Sequence, residues 1–342
     1  MTHMEQEILQ VADCLRQHQQ LADIAPLHKA LCEQPPQLLL TIARGTSMHA
    51  AEYLSYLLMR YAGIPSMSVP LSLNTVYQTP WQLPQSALVL AISQSGGSRD
   101  LLESVKAFQP TGAKTFALLN TIPSPLSEVC DNCLNIGAGK EHSVAATKSF
   151  IATLSLGIRL FAPLLKQSAL DTALAKLPEK IEQAQEIALQ EDWQKALSLF
   201  TNCDRLYILG RGLGFSIARE AALKFKETCL IQGEAFSSAE VKHGPMALMN
   251  ERQVVLALAP PDEAQAGIVE SALQFKAMGA KVILAADESV AERDVTLIDA
   301  NHPTLQGLTT IQTVYRFIEQ VSRAKGIDTD NPPNLKKVTS TL

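Results

Sequence analysis

From about residue 38 onward, short unbroken apolar runs alternate with longer stretches in which apolar positions recur every three to four residues. An unbroken run suits a strand covered on both faces, and the longer period suits a helix that buries one face. Leu38–Ala43, Ala87–Ile92 and Thr115–Leu119 read as strands in the first half, and Leu206–Leu209, Val254–Ala259 and Lys281–Ala285 in the second. His49–Tyr61, Asp100–Phe108, Ala218–Thr228 and Gln265–Met278 read as helices between them. Strands alternating with helices predict β-α-β units and an α/β fold, with parallel sheets flanked by helices.

The second half repeats the first at an offset of about 167 residues. Ala43-Arg44-Gly45 after the first strand answers to Gly210-Arg211-Gly212, and Gly112-Ala113-Lys114 answers to Gly279-Ala280-Lys281, a helix stop followed by a strand start. The polar, Gln- and Glu-rich stretch near Lys166–Trp193 reads as a connecting helix. The expected organisation is an N-terminal helical segment 1–30, a first module 31–165, the connector 166–195, a second module 196–325 and a tail 326–342.

Composition narrows the function classes. With 29 Lys plus Arg against 34 Asp plus Glu, the net charge of −5 argues against a nucleic-acid binder. Ser149–Leu165 is interrupted by Arg159 and Pro163, so no transmembrane helix and no membrane partner are expected. Glu5 and Glu7 near the start argue against a secretory signal, and a cytoplasmic location is expected. Six scattered cysteines form neither a disulfide framework nor a metal cluster; only Cys130 and Cys133 make a C-x-x-C. No metal is expected.

The two halves differ at one loop. Ser93-Gln94-Ser95-Gly96-Gly97-Ser98 follows a strand of the first half and opens a helix, offering flexible amides, three hydroxyls and a helix N-terminus to a phosphate. The matching Ala259-Pro260-Pro261-Asp262-Glu263 has lost the hydroxyls and gained negative charge, so the loop of the first half is either its anion site or an ordinary Gly/Ser strand-to-helix turn. Arg44-Gly45-Thr46-Ser47 also ends a strand and opens a helix; alone, its hydroxyls read first as helix caps and second as ligand contacts. Gly210-Arg211-Gly212-Leu213-Gly214 departs from the dinucleotide fingerprint, with Phe215 at the third glycine position.

Glu220, Lys224 and Glu227 fall on one helix face. Alone, this stripe reads as a solvated ion-pair ladder. The loop-rich stretch after it, Gly233–Phe236 and Glu240–Met246, carries His243 beside Gly244-Pro245, a rigid turn that could present an imidazole to a ligand.

Ser93-Gln94-Ser95-Gly96, Ser143-Val144-Ala145-Ala146-Thr147-Lys148, Glu220–Glu227 and Glu240-Val241-Lys242-His243-Gly244-Pro245, in this order, resemble the double sugar-isomerase (SIS) proteins. The resemblance is to the isomerase part of glutamine-fructose-6-phosphate aminotransferase and, more closely, to stand-alone glucosamine-6-phosphate deaminases, and it runs to the Asp328–Lys337 tail. It implies two tandem SIS modules, each a doubly wound, flavodoxin-like parallel sheet. It further implies a sugar-phosphate site in which Thr46, Ser47, Ser93, Gln94, Ser95 and Ser98 supply polar contacts and Val144 with Ala145 a backbone wall. By the same resemblance, Glu227 moves a proton between C1 and C2, Lys224 neighbours it, His243 opens the ring and reaches a partner subunit's site, and Lys337 closes over the sugar.

Gly97, Ser98 and Ala146 stand where the aminotransferases have Glu, Thr and Ser, and no glutaminase segment precedes the modules, so glutamine-dependent synthesis is not expected. The expected activity is conversion of glucosamine 6-phosphate to fructose 6-phosphate and ammonia, in a homodimer with shared sites and without a cofactor. A fructosamine-6-phosphate deglycase, a plain phosphosugar isomerase and a non-catalytic phosphosugar-binding module are the alternatives.

Overall fold

A computed structural model describes residues 1–19 and 24–337. Parts of the expected N-terminal segment and tail lie outside the described residues. By packing, the chain divides into two units. One comprises Cys14–Glu141, Lys148–Ser168 and the chain from Lys336 on; the other comprises Met1–Asp13, His142–Thr147 and Ala169–Leu335.

The first unit holds a parallel sheet of β1 (Leu38–Ile42), β2 (Ser66–Ser68), β3 (Ala87–Ser93), β4 (Lys114–Leu119) and β5 (Asn132–Asn135), in the order β2-β1-β3-β4-β5. The central strands are buried almost throughout because helices cover both faces, which is why they read as unbroken apolar runs. The helix Gly45–Leu57 starts four residues before the sequence expectation and ends in a π turn at Leu58–Ala62. It packs against the helix Lys148–Leu165. By length and composition alone that helix passes for a membrane span. Here, 83% of it is buried inside the protein, as a core helix is.

The second unit repeats the plan with β6 (Arg205–Gly210), β7 (Gln232–Ser237), β8 (Val254–Ala259), β9 (Lys281–Ala286) and β10 (Val295–Thr296), in the order β10-β9-β8-β6-β7. Read from the other edge, this is the first order again, so both halves are doubly wound parallel sheets that reverse direction beside their first strand. The connector is two helices, Leu170–Ile187 and Glu191–Thr201, in place of one. Trp193, Phe200 and Phe225 pack with Phe317 of the helix Gln306–Ala324, neighbouring ring centroids lying 4.9–5.7 Å apart, and form the aromatic heart of this unit. The stretch read as loop at Gly233–Phe236 is strand β7, a polar edge strand that needs only one covered face.

Gly210 explains the glycine cluster that invited a dinucleotide reading. A Cβ there would lie 2.2 Å from the Gly214 carbonyl oxygen, so the glycine lets the helix Leu213–Cys229 approach its strand. The crevice at this reversal point is lined mainly by Leu213, Ile217, Leu258 and Pro260, with Asp262 and Thr310 at its polar side. It lacks the hydroxyl-rich loop of the first unit.

Candidate active site

In the first unit, β1 and β3 are paired neighbours on either side of the reversal, so the loops after them emerge side by side. Thr46 and Ser47 sit in the first turn of Gly45–Leu57, and Ser93, Gln94, Ser95 and Ser98 line the next loop. The Ser93 Oγ accepts from the Gly96 amide at 3.1 Å and the Ser95 Oγ from the Gly97 amide at 3.3 Å. Because each oxygen serves the loop as an acceptor, its hydrogen points elsewhere and can be donated to an anion.

Gly96 makes this turn at φ +62°, and a Cβ there would meet the Ser124 Oγ at 2.2 Å. Ser98 is the N-cap residue of Arg99–Phe108, without a side-chain capping bond. Asp100, fully buried in that first turn, pairs with the Arg44 Nε at 2.9 Å and ties the two loops together. The sequence placed Asp100 in the first turn but gave no sign of this partner 56 residues away.

Lys337 also belongs to this unit. Its ammonium lies 3.2 Å from Glu141, whose side chain is fully buried and also accepts from the Ser149 amide and hydroxyl at 3.1 and 2.8 Å. Glu141 thus caps the start of Lys148–Leu165 and holds the tail lysine, a role with no local signature in the sequence.

The second unit holds the other group. Glu220, Lys224 and Glu227 lie on one face of Leu213–Cys229, but that face is not solvated: Glu220 and Lys224 are fully buried. The helix packs on Gln306–Ala324, so the ion-pair-ladder reading fails here. The Lys224 ammonium is 3.3 Å from Glu220 and 2.5 Å from Glu227, and the Tyr315 hydroxyl donates to Glu220 at 2.9 Å. Burial alone would lower the Lys224 pKa; the two carboxylates outweigh it and hold the group above the ordinary lysine range, as an ammonium. Of the three side chains only Glu227, 23% exposed, reaches solvent.

His243 is exposed at the end of the short 3-10 turn Glu240–His243, anchored by buried Val241 and followed by Gly244 at φ +151°. Val144 and Ala145, half-buried and buried, lie in the six-residue segment His142–Thr147 that packs with this unit.

Among the described residues, no cluster of three or more His, Cys, Asp and Glu could hold a metal ion. Cys130 is a poor candidate for redox chemistry: burial, with Cys133 and Asp131 adding to it, pushes its thiol up to about 11.

Comparison with known proteins supports the SIS resemblance and corrects its leaning: the aminotransferases match this chain more closely than the deaminase does. The SIS domain matches at residues 36–162 and 199–315. Glutamine–fructose-6-phosphate aminotransferase of Corynebacterium glutamicum is 34% identical over 86% of this chain, and the chain spans about half the length of such curated relatives. A candidate phosphosugar isomerase from Silicibacter pomeroyi is 34% identical with a TM-score of 0.88, covering 96% of this chain and 100% of its own. The C-terminal domain of glucosamine-fructose-6-phosphate aminotransferase from Francisella tularensis is 28% identical with a TM-score of 0.82, over 97% and 98% of the two chains. Glucosamine-6-phosphate deaminase from Thermotoga maritima shares the fold at 21% identity and a TM-score of 0.77, over 99% and 100%.

Proposed function

The chain belongs to the SIS-domain family, and from that premise we propose that it acts on an amino-sugar phosphate, converting glucosamine 6-phosphate to fructose 6-phosphate and ammonia. The observation that carries this reading is the buried Glu220–Lys224–Glu227 cluster with only Glu227 open to solvent. Moving a proton between adjacent carbons needs one positioned carboxylate and a cation to fix it. Lys224 acts through Glu227, held in turn by Glu220 and Tyr315.

In the proposed sequence the Ser93–Ser98 loop with Thr46 and Ser47 anchors the phosphate, and His243 assists ring opening. Glu227 removes the C2 proton to give an enolamine and returns a proton at C1. The C=N bond left at C2 is hydrolysed, and ammonia departs. The names of two similar proteins, glutamine–fructose-6-phosphate aminotransferase and glucosamine-6-phosphate deaminase, support an amino sugar as substrate. Lys337, held by Glu141, is placed in the same scheme as the tail group that closes over the sugar.

A panel of phosphorylated amino sugars with coupled ammonia detection tests the proposal. Ammonia from glucosamine 6-phosphate is the expected result. Interconversion of aldose and ketose phosphates without ammonia favours a plain isomerase, release of an amino acid from a fructosamine 6-phosphate favours a deglycase, and phosphosugar binding without turnover overturns the enzymatic reading. The exposed His243 supports a homodimer with shared sites; mixing His243→Ala with Glu227→Gln protein then restores activity that neither has alone.

A further inference from the structure

The N-terminal helix His3–Leu9 lies outside both SIS-matching segments. Its Glu7 is 3% exposed, and its carboxylate accepts from the backbone amides of His142 and Ser143, the latter at 3.3 Å from each oxygen. These amides begin the six-residue segment whose flanks, Glu141 and Lys148, pack with the other unit. Burying a carboxylate is expensive unless charge-assisted bonds satisfy it, and here two amides from 135 and 136 residues away do so.

The helix that carries Glu7 is itself fixed. Glu5 pairs with Arg316 at 2.7 Å, the Ile8 carbonyl accepts from Gln312 at 2.9 Å, and the His3 amide donates to Asp330 at 2.9 Å. The His3 ring also stacks on His142, with centroids 5.3 Å apart.

We infer that Glu7 is a positioning residue of the sugar-phosphate site: its carboxylate sets the backbone of His142–Ser143 and thereby presents Val144 and Ala145 to the ligand. The inference rests on the function proposed above together with the resemblance, which implies that Val144 and Ala145 form a backbone wall of the sugar-phosphate site. It assigns a part in ligand binding to a helix that neither family segment includes. A glutamine at position 7 can still accept one of the bonds with less charge, so the effect is graded.

The test uses the full chain with Glu7→Gln, Glu7→Ala and, as a control on the same helix, Glu5→Gln. Two readouts are taken well below the melting temperature: hydrogen exchange of the 142–147 amides, and kinetics with glucosamine 6-phosphate. In Glu7→Ala, exchange across 142–147 should rise and KM should rise roughly tenfold with kcat nearly unchanged. Glu7→Gln should fall between it and wild type. Glu5→Gln should lower the melting temperature while leaving exchange at 142–147 and KM close to wild type.

Unchanged exchange in Glu7→Ala overturns the inference, as does faster exchange with unchanged KM, which would leave Glu7 a purely structural cap. Wild-type protein that neither binds nor turns over the sugar phosphate is instead the failure of the proposed function. The exchange measurement reads Glu7's hold on the segment in either case.

Discussion

Replacing Glu227 and Glu220 separately by Gln should produce opposite patterns, because the two carboxylates flank one lysine and only one of them meets solvent. Glu227→Gln keeps the shape of the side chain and removes the group that accepts the proton. General-base catalysis contributes roughly 10²- to 10⁴-fold, or about 3–5 kcal/mol of barrier, so kcat should fall by that factor with KM little changed. The stability lost should be only about 1 kcal/mol, since Glu227 is partly solvated and Lys224 keeps Glu220.

Glu220→Gln removes a fully buried anion that meets both Lys224 and the Tyr315 hydroxyl. Breaking a buried pair costs about 3–5 kcal/mol, and because Lys224 keeps Glu227 the loss should sit at the low end, about 3 kcal/mol. At roughly 2–4 °C per kcal/mol for a chain of this size or somewhat smaller, Tm should drop by about 6 °C or more, with a far smaller loss of kcat from the molecules still folded. The assays are a thermal melt and initial rates at 25 °C, with exchange of the substrate C2 hydrogen against solvent deuterium reporting the proton step alone. Glu227→Gln protein that still exchanges at near wild-type rate refutes the reasoning. So does Glu220→Gln protein that melts like wild type.

Three further outcomes follow from other parts of the molecule. Ser95→Ala should raise KM for the phosphorylated sugar by roughly tenfold to a hundredfold, and unphosphorylated glucosamine should be a much poorer substrate; equal turnover of the two would sink the phosphate loop. Gly96→Ala places a methyl against Ser124 at a left-handed φ and should cost about 2 kcal/mol or more, measured by urea unfolding, with part recovered in the Gly96→Ala/Ser124→Gly double variant. His18 is held near pKa 4 by burial, against 6.5 when unfolded, although its ring donates to the Ile136 carbonyl at 2.6 Å. The unfolded chain therefore binds the extra proton first. The stability this group contributes is present above about pH 6.5 and is lost as pH falls toward 4, by about 3 kcal/mol, a loss that His18→Asn should flatten.

The elements legible in the sequence are those whose environment is uniform. β1, β3, β4, β6, β8 and β9 lie inside their sheets with both faces covered, and each stands within one residue of its apolar run. β2, β5, β7 and β10 are the four sheet edges, with sequences such as Ser-Met-Ser and Asn-Cys-Leu-Asn, and half-exposed edges carry no apolar run to read. The helix Leu213–Cys229 begins five residues before its expected start because Gly214 and Phe215 mask the pattern.

The site divides in the same way. Loop chemistry such as Ser93–Ser98 is contiguous and visible. Tyr315 on Glu220, Arg44 on Asp100, Lys337 on Glu141 and Glu7 on His142 are pairings across 56 to 196 residues, which only the fold can make.

The N-terminal helix also sets a timetable for folding during synthesis. The unit of Cys14–Glu141 and Lys148–Ser168 has nearly all its chain once residue 168 has left the ribosome, and it can fold while the rest is being made. Met1–Asp13 is made before this unit, yet its partners Gln312, Arg316 and Asp330 follow about 300 residues later. At roughly 5–20 residues per second, the helix waits about 15 to 65 seconds for these partners. A helix made ahead of the first unit is thus completed only by residues made well after it.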